Sequence, residues 1–253
     1  MQKLTKYKED FLAESSKEIT VDKSLPLKLQ KRELLKKLGF PVDSNVVINL
    51  DESREEFVRI FISFNNAPPF IIGIHAMPTF SYITPFFLVK GEYDIEYQDP
   101  QGEKKRLNSL KEIINEIYSF TGKIWIEFVK SVWNRETIAG RLIYSSYLQQ
   151  ILEIQKGVSS KNIGNNREIY FYTELSRFNL SVDLNNSIVQ QSIVNSGFTK
   201  LEINNILSPL RTYKSKFEKL SRISSLPTLE FAYDKNGEII VIDVDWPDQY
   251  FRS

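Results

Sequence analysis

The 253-residue chain contains no cysteine and a single histidine, His75. These absences exclude a disulfide framework, a thiolate nucleophile, a zinc–thiolate site and an iron–sulfur cluster, and one chain cannot build a two-histidine metal site. Charge of one sign is also lacking. With 33 Lys and Arg against 32 Asp and Glu the net charge is +1, which speaks against a nucleic-acid-coating protein. No stretch approaches the roughly 18 apolar residues that a spanning helix needs. The first residues, MQKLTKYKEDFLAESSKEI, carry no apolar run of the signal-sequence kind, so the expected compartment is the cytoplasm and no membrane partner is expected. The ten glycines are scattered singly. Neither a GxxxxGK[ST] loop, a GxGxxG fingerprint nor a Gly-x-Ser-x-Gly elbow occurs, which removes ordinary P-loop, dinucleotide and serine-hydrolase chemistry.

What is present is a soluble globular composition, 42% hydrophobic and 26% charged, in a chain long enough for one large domain or two small ones. Residues 1–65 read as mainly helical. Tyr7–Ile19 is charged and amphipathic, Leu27–Leu38 carries Leu34, Leu35 and Leu38 on one face, and Ser53–Phe64 follows a short buried strand at Val46–Ile48. Gly39 stands where a left-handed helix cap belongs, and Pro41 bars continuation. From Pro68 onward strands dominate: Phe70–Ile74, Phe86–Val89, Tyr93–Tyr97, Lys123–Lys130, Ile138–Ser145, Leu148–Gln155 and Arg167–Leu175. Helices are expected over Leu107–Phe120, Ser187–Asn195 and Lys200–Ile223, the last interrupted near Ser208-Pro209. Turns are expected at Asp99-Pro100-Gln101-Gly102 and Asp234-Lys235-Asn236-Gly237. The class is α+β with a mostly antiparallel sheet, because hairpins outnumber β-α-β units.

The closing hairpin, Leu229–Tyr233 and Glu238–Val244, carries the densest chemistry. Alternation places Asp243 and Asp245 on one face of the last strand, with Ile242 and Val244 on the other, and Glu230 on the partner strand can share the acidic face. Carboxylates so placed repel by about several tenths of a kcal/mol each unless a cation sits among them. Hard oxygen donors without His or Cys suit Mg2+, which completes its shell with nucleotide phosphates. A solvated polar face on an edge hairpin has the same pattern.

Leu-Glu-Phe-Ala, a Gly turn and an apolar strand ending in polar alternation together resemble the end of an ATP-grasp nucleotide-binding domain. The resemblance is to the N-terminal domain of phosphoenolpyruvate synthase and pyruvate phosphate dikinase. Three further stretches fall in the family's order: KLQKRELLKKLGFPV from Lys28 to Val42, IWIEFVKSVWNRETIAGRLIY from Ile124 to Tyr144 with its Ala-Gly, and LEIQKG from Leu152 to Gly157. The resemblance spans roughly residues 25–250. It implies an ATP-grasp-like α+β fold with a small N-terminal helical and β lobe over residues 1–100 and a larger, mostly antiparallel lobe flanked by helices over 101–253. It implies ATP and Mg2+ as cofactors, with the nucleotide between the lobes. Glu230 and Asp243 would hold the metal, aided by Asp245. Lys28 or Lys31, which the leucine spacing leaves as competitors, would face the phosphates, and Glu127 would flank the nucleotide.

The chain departs from the family where an Arg-Ser-Ser segment is expected: Ile74-His75-Ala76-Met77-Pro78 has no arginine. The expectation is therefore a stand-alone domain. It would transfer a phosphoryl group or ligate a carboxylate of a small molecule or peptide, alone or with a partner protein. The contrasting expectation is a non-catalytic nucleotide sensor or interaction module. His75, flanked by apolar residues, reads as a core histidine or as a phosphoryl acceptor or general base. Tyr170, Phe171, Tyr172 and Phe178 beside Arg167 and Arg177 could stack nucleic-acid bases, and Asp94, Glu96 and Lys104 hint at a metal nuclease without its clean spacing.

Overall fold

The computed structural model describes residues 21–43, 45–50, 54–77, 84–130, 136–143, 150–156, 169–173, 185, 187–223, 227–234 and 236–245. The helix expected over Tyr7–Ile19 lies outside them. Helices and antiparallel sheets make the chain α+β, and it divides into two compact units. One comprises residues 22–30 and 43–134; the other comprises 1–21, 31–42 and 135–253. The sequence reading put a divide between residues 100 and 101. In the structure the strands at Lys104–Leu107 and Lys123–Lys130 both belong to the first sheet, the second of them paired with Asn45–Asn49 on one side and Phe70–Met77 on the other.

The first unit is a six-stranded sheet of β1 (Asn45–Asn49), β2 (Phe70–Met77), β3 (Phe86–Gly91), β4 (Asp94–Gln98), β5 (Lys104–Leu107) and β6 (Lys123–Lys130). The strand order is β1-β6-β2-β3-β4-β5, every pairing antiparallel. Period-two alternation sends Phe70, Ile72, Ile74, Ile126 and Phe128 to one face, where Phe57, Ile60 and Phe61 of a helix over Arg54–Asn65 and Ile113 and Ile117 of another over Leu110–Tyr118 meet them. The second of these helices starts later than its leucine pattern suggests. Ser109 caps it by accepting from the Glu112 N–H, and Lys104–Leu107 is an edge strand that the sequence reading missed. β1 is an edge strand too, so Val46 and Val47 are 39% and 38% exposed and only Ile48 is buried, against the expectation of a buried strand.

The second unit is a five-stranded antiparallel sheet of β7 (Glu136–Ile143), β8 (Gln150–Lys156), β9 (Ile169–Thr173), β10 (Thr228–Asp234) and β11 (Ile239–Asp245), in the order β11-β10-β7-β8-β9. Leu142, Leu152, Leu229, Phe231, Val241 and Val244 form the sheet's core face. Leu34 and Leu35 from the helix over Leu27–Lys37, and Leu38 just after it, pack into this core, as do helices over Ser187–Ser196, Lys200–Thr212 and Lys214–Ile223. Gly39 takes φ 78°, the left-handed cap expected, and the Phe40 N–H returns to the Leu35 carbonyl. Pro209 sits inside its helix and does not break it: buried Ile206, Leu207 and Leu210 hold the turn around it, and the break falls at Tyr213.

Two hairpins use one turn chemistry. At Asp99 the carboxylate accepts from the N–H groups of Gln101 and Glu103; at Asp234 it accepts from those of Asn236 and Glu238. In each, a glycine three residues on, Gly102 or Gly237, has positive φ and donates back to the aspartate carbonyl. The motif Asp-x-x-Gly-Glu is thus a self-contained turn.

Candidate functional site

In the second unit, β10 runs between β11 and β7. Glu230 stands opposite Asp243 on one side and opposite Arg141 on the other. Leu229 and Phe231, on either side of Glu230, are fully buried in the core, so Glu230 lies on the face away from the packed helices. Asp243 reaches that face through an irregularity. Phe231 pairs with Val241 but Glu230 pairs with Asp243, so Ile242 is an extra residue in β11. Both Val241 and Val244 are core residues, and Ile242 is half-buried. This corrects the expected alternation of Ile242 with Val244. Without the bulge, Val241 and Asp243 would share a face and the carboxylate would point into the apolar core.

Arg141 Nη2 lies 3.3 Å from Glu230 Oε1, with 25% and 21% of the two side chains exposed. Asp243 Oδ1 accepts from the Val244 N–H at 2.8 Å. The backbone of Asp245 pairs with Thr228, two register positions from the Glu230–Asp243 pair, with Leu229–Val244 between them. Among the described residues no three His, Asp or Glu groups gather as a metal cage. The described acid set is the pair Glu230 and Asp243. Two carboxylates on neighbouring strands, with no soft donor beside them, fit Mg2+, which takes one or two carboxylates and fills its shell from water and phosphate.

Arg141 escaped the sequence reading. Its signal was a charged residue inside an otherwise apolar strand, directly after Ala139-Gly140 and flanked by buried Leu142. Only the register shows that it faces Glu230, 89 residues away.

The two competing lysines fall in different units, Lys28 in the first and Lys31 in the second. Lys31 is 7% exposed and continues the stripe of Leu34, Leu35 and Leu38, whereas Lys28 is half-buried. Glu127 lies in the first unit at 2% exposure. Its Oε1 accepts from Asn45 Nδ2 at 2.5 Å, and its Oε2 lies 3.1 Å from His75 Nε2. β1, β6 and β2 bring these three together, and Gly73 leaves room for the ring: a Cβ there would sit 3.1 Å from His75 Nε2. His75 is a buried histidine with a carboxylate partner. Glu96 is engaged as well. Lys104 first, and then Lys90, hold its carboxyl below the usual range, so Glu96 and Lys104 of the Asp94, Glu96 and Lys104 set belong to a surface ion cluster with Lys90. The aromatic set Tyr170, Phe171, Tyr172 and Phe178 lies outside what the structure describes of side chains.

No protein-family model matches the sequence, and no curated protein matches it. Solved structures do. The macrocyclase MdnB from Microcystis aeruginosa MRC is 12% identical at a TM-score of 0.37, covering 86% of this chain and 50% of its own. D-alanine–D-alanine ligase from Bacillus anthracis complexed with ATP is 10% identical at 0.41, covering 86% and 53%. Carboxyaminoimidazole ribonucleotide synthase from Aspergillus clavatus complexed with ATP is 13% identical at 0.43, covering 86% and 43%. The chain spans about half the length of these structures. Among the described residues no helix is long and apolar enough to cross a membrane.

Proposed function

We propose that the chain is an ATP-grasp-like nucleotide-binding protein that holds Mg2+-ATP at Glu230 and Asp243 and ligates a carboxylate substrate through an acyl phosphate. The observation that carries this reading is the row Asp243–Glu230–Arg141 across three strands, with both acids turned to the face away from the helices. The order of the sequence motifs supports it. Bound there, the metal would offset the charge of the phosphates. Glu230 and Asp243 supply the hard oxygen donors, with Asp245 in reserve two register positions away. Arg141 supplies a permanent positive charge and planar donors suited to phosphate oxygens. Phosphoryl transfer of the dikinase kind would use the same parts.

Calorimetric titration of the purified chain with Mg2+-ATP tests this. Binding that needs the metal and weakens in Glu230→Gln and Asp243→Asn is the expected result. Equal affinity in both variants removes the assignment.

A further inference from the structure

We infer that Arg141 stands in for the metal at Glu230 when no metal is bound, and thereby makes the acid pair selective for a divalent ion carried by a polyphosphate over a free one. The inference rests on the metal assignment above and adds a coupling between the two ligands.

The register gives Glu230 two unlike neighbours, an acid on β11 and a guanidinium on β7. Glu230 and Asp243 directly opposite each other are a like-charge pair, which by itself disfavours the hairpin. Arg141 Nη2, 3.3 Å from Glu230 Oε1, offsets that repulsion in the absence of any ion. Both side chains are about three-quarters covered, so the field between them is screened less than on an open surface.

A free divalent ion approaching this pair meets a carboxylate already engaged and a cation beside it. Arginine cannot relieve the clash by losing its proton. An ion that arrives with a polyphosphate brings its own negative oxygens. The guanidinium can then exchange Glu230 for phosphate, a charge-assisted partner of matching geometry. Glu230 becomes available to the metal in the same event. Metal and phosphate therefore bind cooperatively, and the coupling is reciprocal.

Mn2+ is the probe, with free ion followed by electron paramagnetic resonance, in the presence and absence of the non-hydrolysable analogue AMP-PNP. For the unmodified chain, Mn2+ alone binds weakly and the analogue tightens it. In Arg141→Gln, Mn2+ alone binds about tenfold more tightly and the enhancement by AMP-PNP shrinks by a comparable factor, within the usual range of site–site coupling. Arg141→Lys keeps the charge and keeps Mn2+ alone weak. Thermal melts establish that each variant is folded. The inference is overturned if the unmodified chain binds Mn2+ equally well with and without AMP-PNP, a result that needs no variant. It is also overturned if Arg141→Gln leaves both affinities unchanged while Glu230→Gln abolishes them, in which case the nucleotide site survives. If Glu230→Gln and Asp243→Asn alter neither affinity, the site itself falls, and the coupling with it.

Discussion

Phe231 lies across Gly140. The two residues face each other on β10 and β7, and a Cβ on Gly140 would come within 2.1 Å of Phe231 Cζ. The ring fills the space that a side chain at 140 would need, on the core face one residue away from both Glu230 and Arg141. Gly140→Ala is expected to destabilise the chain by about 1–3 kcal/mol, the cost of overpacking a filled core. Urea unfolding measures it. Phe231→Leu in the Gly140→Ala background should recover part of the loss, and a Gly140→Ala variant as stable as the parent would show that the ring moves aside freely.

Removing one acid of the Glu230–Asp243 pair separates binding from folding. Asp243→Asn should lower Mg2+-ATP affinity by about tenfold or more, roughly 1.4 kcal/mol. Its unfolding free energy should shift by less than about 1 kcal/mol, since like charges opposite each other give the fold little. Calorimetry and urea melts on one preparation decide between a binding role and a structural one.

Tyr97 sets an alkaline limit. It is 3% exposed and stacks on Phe87 at 4.7 Å. Burial first, then the charges of Glu116 and Asp99, push its hydroxyl from 10.0 up to about 12. A phenol raised on folding contributes stability that is whole below pH 10 and is lost as pH climbs toward 12. Comparing urea midpoints at neutral and strongly alkaline pH, Tyr97→Phe should lose less than the parent. Equal losses would place the alkaline sensitivity elsewhere.

Glu202 works in the opposite direction. Lys156, at 2.9 Å, is the main cause that holds its carboxyl below the usual range, and Thr199 adds to the effect. The contribution is present above the ordinary carboxylate range and disappears as pH falls through the lowered value. The stability gap between the parent and Glu202→Gln should therefore be small but measurable at neutral pH and close in strong acid. A gap independent of pH would show that the ionised form of Glu202 is not what stabilises the fold.

Asn45→Ala tests the buried network of the first unit. It deletes the donor 2.5 Å from Glu127 Oε1. A loss of about 1–3 kcal/mol is expected, the cost of leaving a buried polar group without one of its hydrogen bonds. Hydrogen exchange at β1, β2 and β6 should rise together if the network ties these strands.

Much of the fold was legible because its determinants are local. Leu34, Leu35 and Leu38 mark a helix face by spacing alone, Gly39 ends that helix by needing positive φ, and the Asp99 and Asp234 turns close on their own side chains. The candidate site was half legible. Glu230 and Asp243 could be named because carboxylates stand out in apolar strands. Arg141 could not be paired with Glu230, nor Asn45 and His75 with Glu127, because register between distant strands leaves no mark in either segment.

The residue order by itself determined the α+β class, the two Asp-x-x-Gly-Glu turns and the apolar stripes, since these follow from backbone preferences and hydrophobic period within a few residues. The direction of Asp243 was decided only in the folded sheet. Continued alternation from Val241 would bury that carboxylate, and the extra residue at Ile242 turns it to the face of Glu230 while returning Val244 to the core. A bulge forms where two strands must satisfy both their ladder and their packing, and that balance exists only once the partner strand is in place.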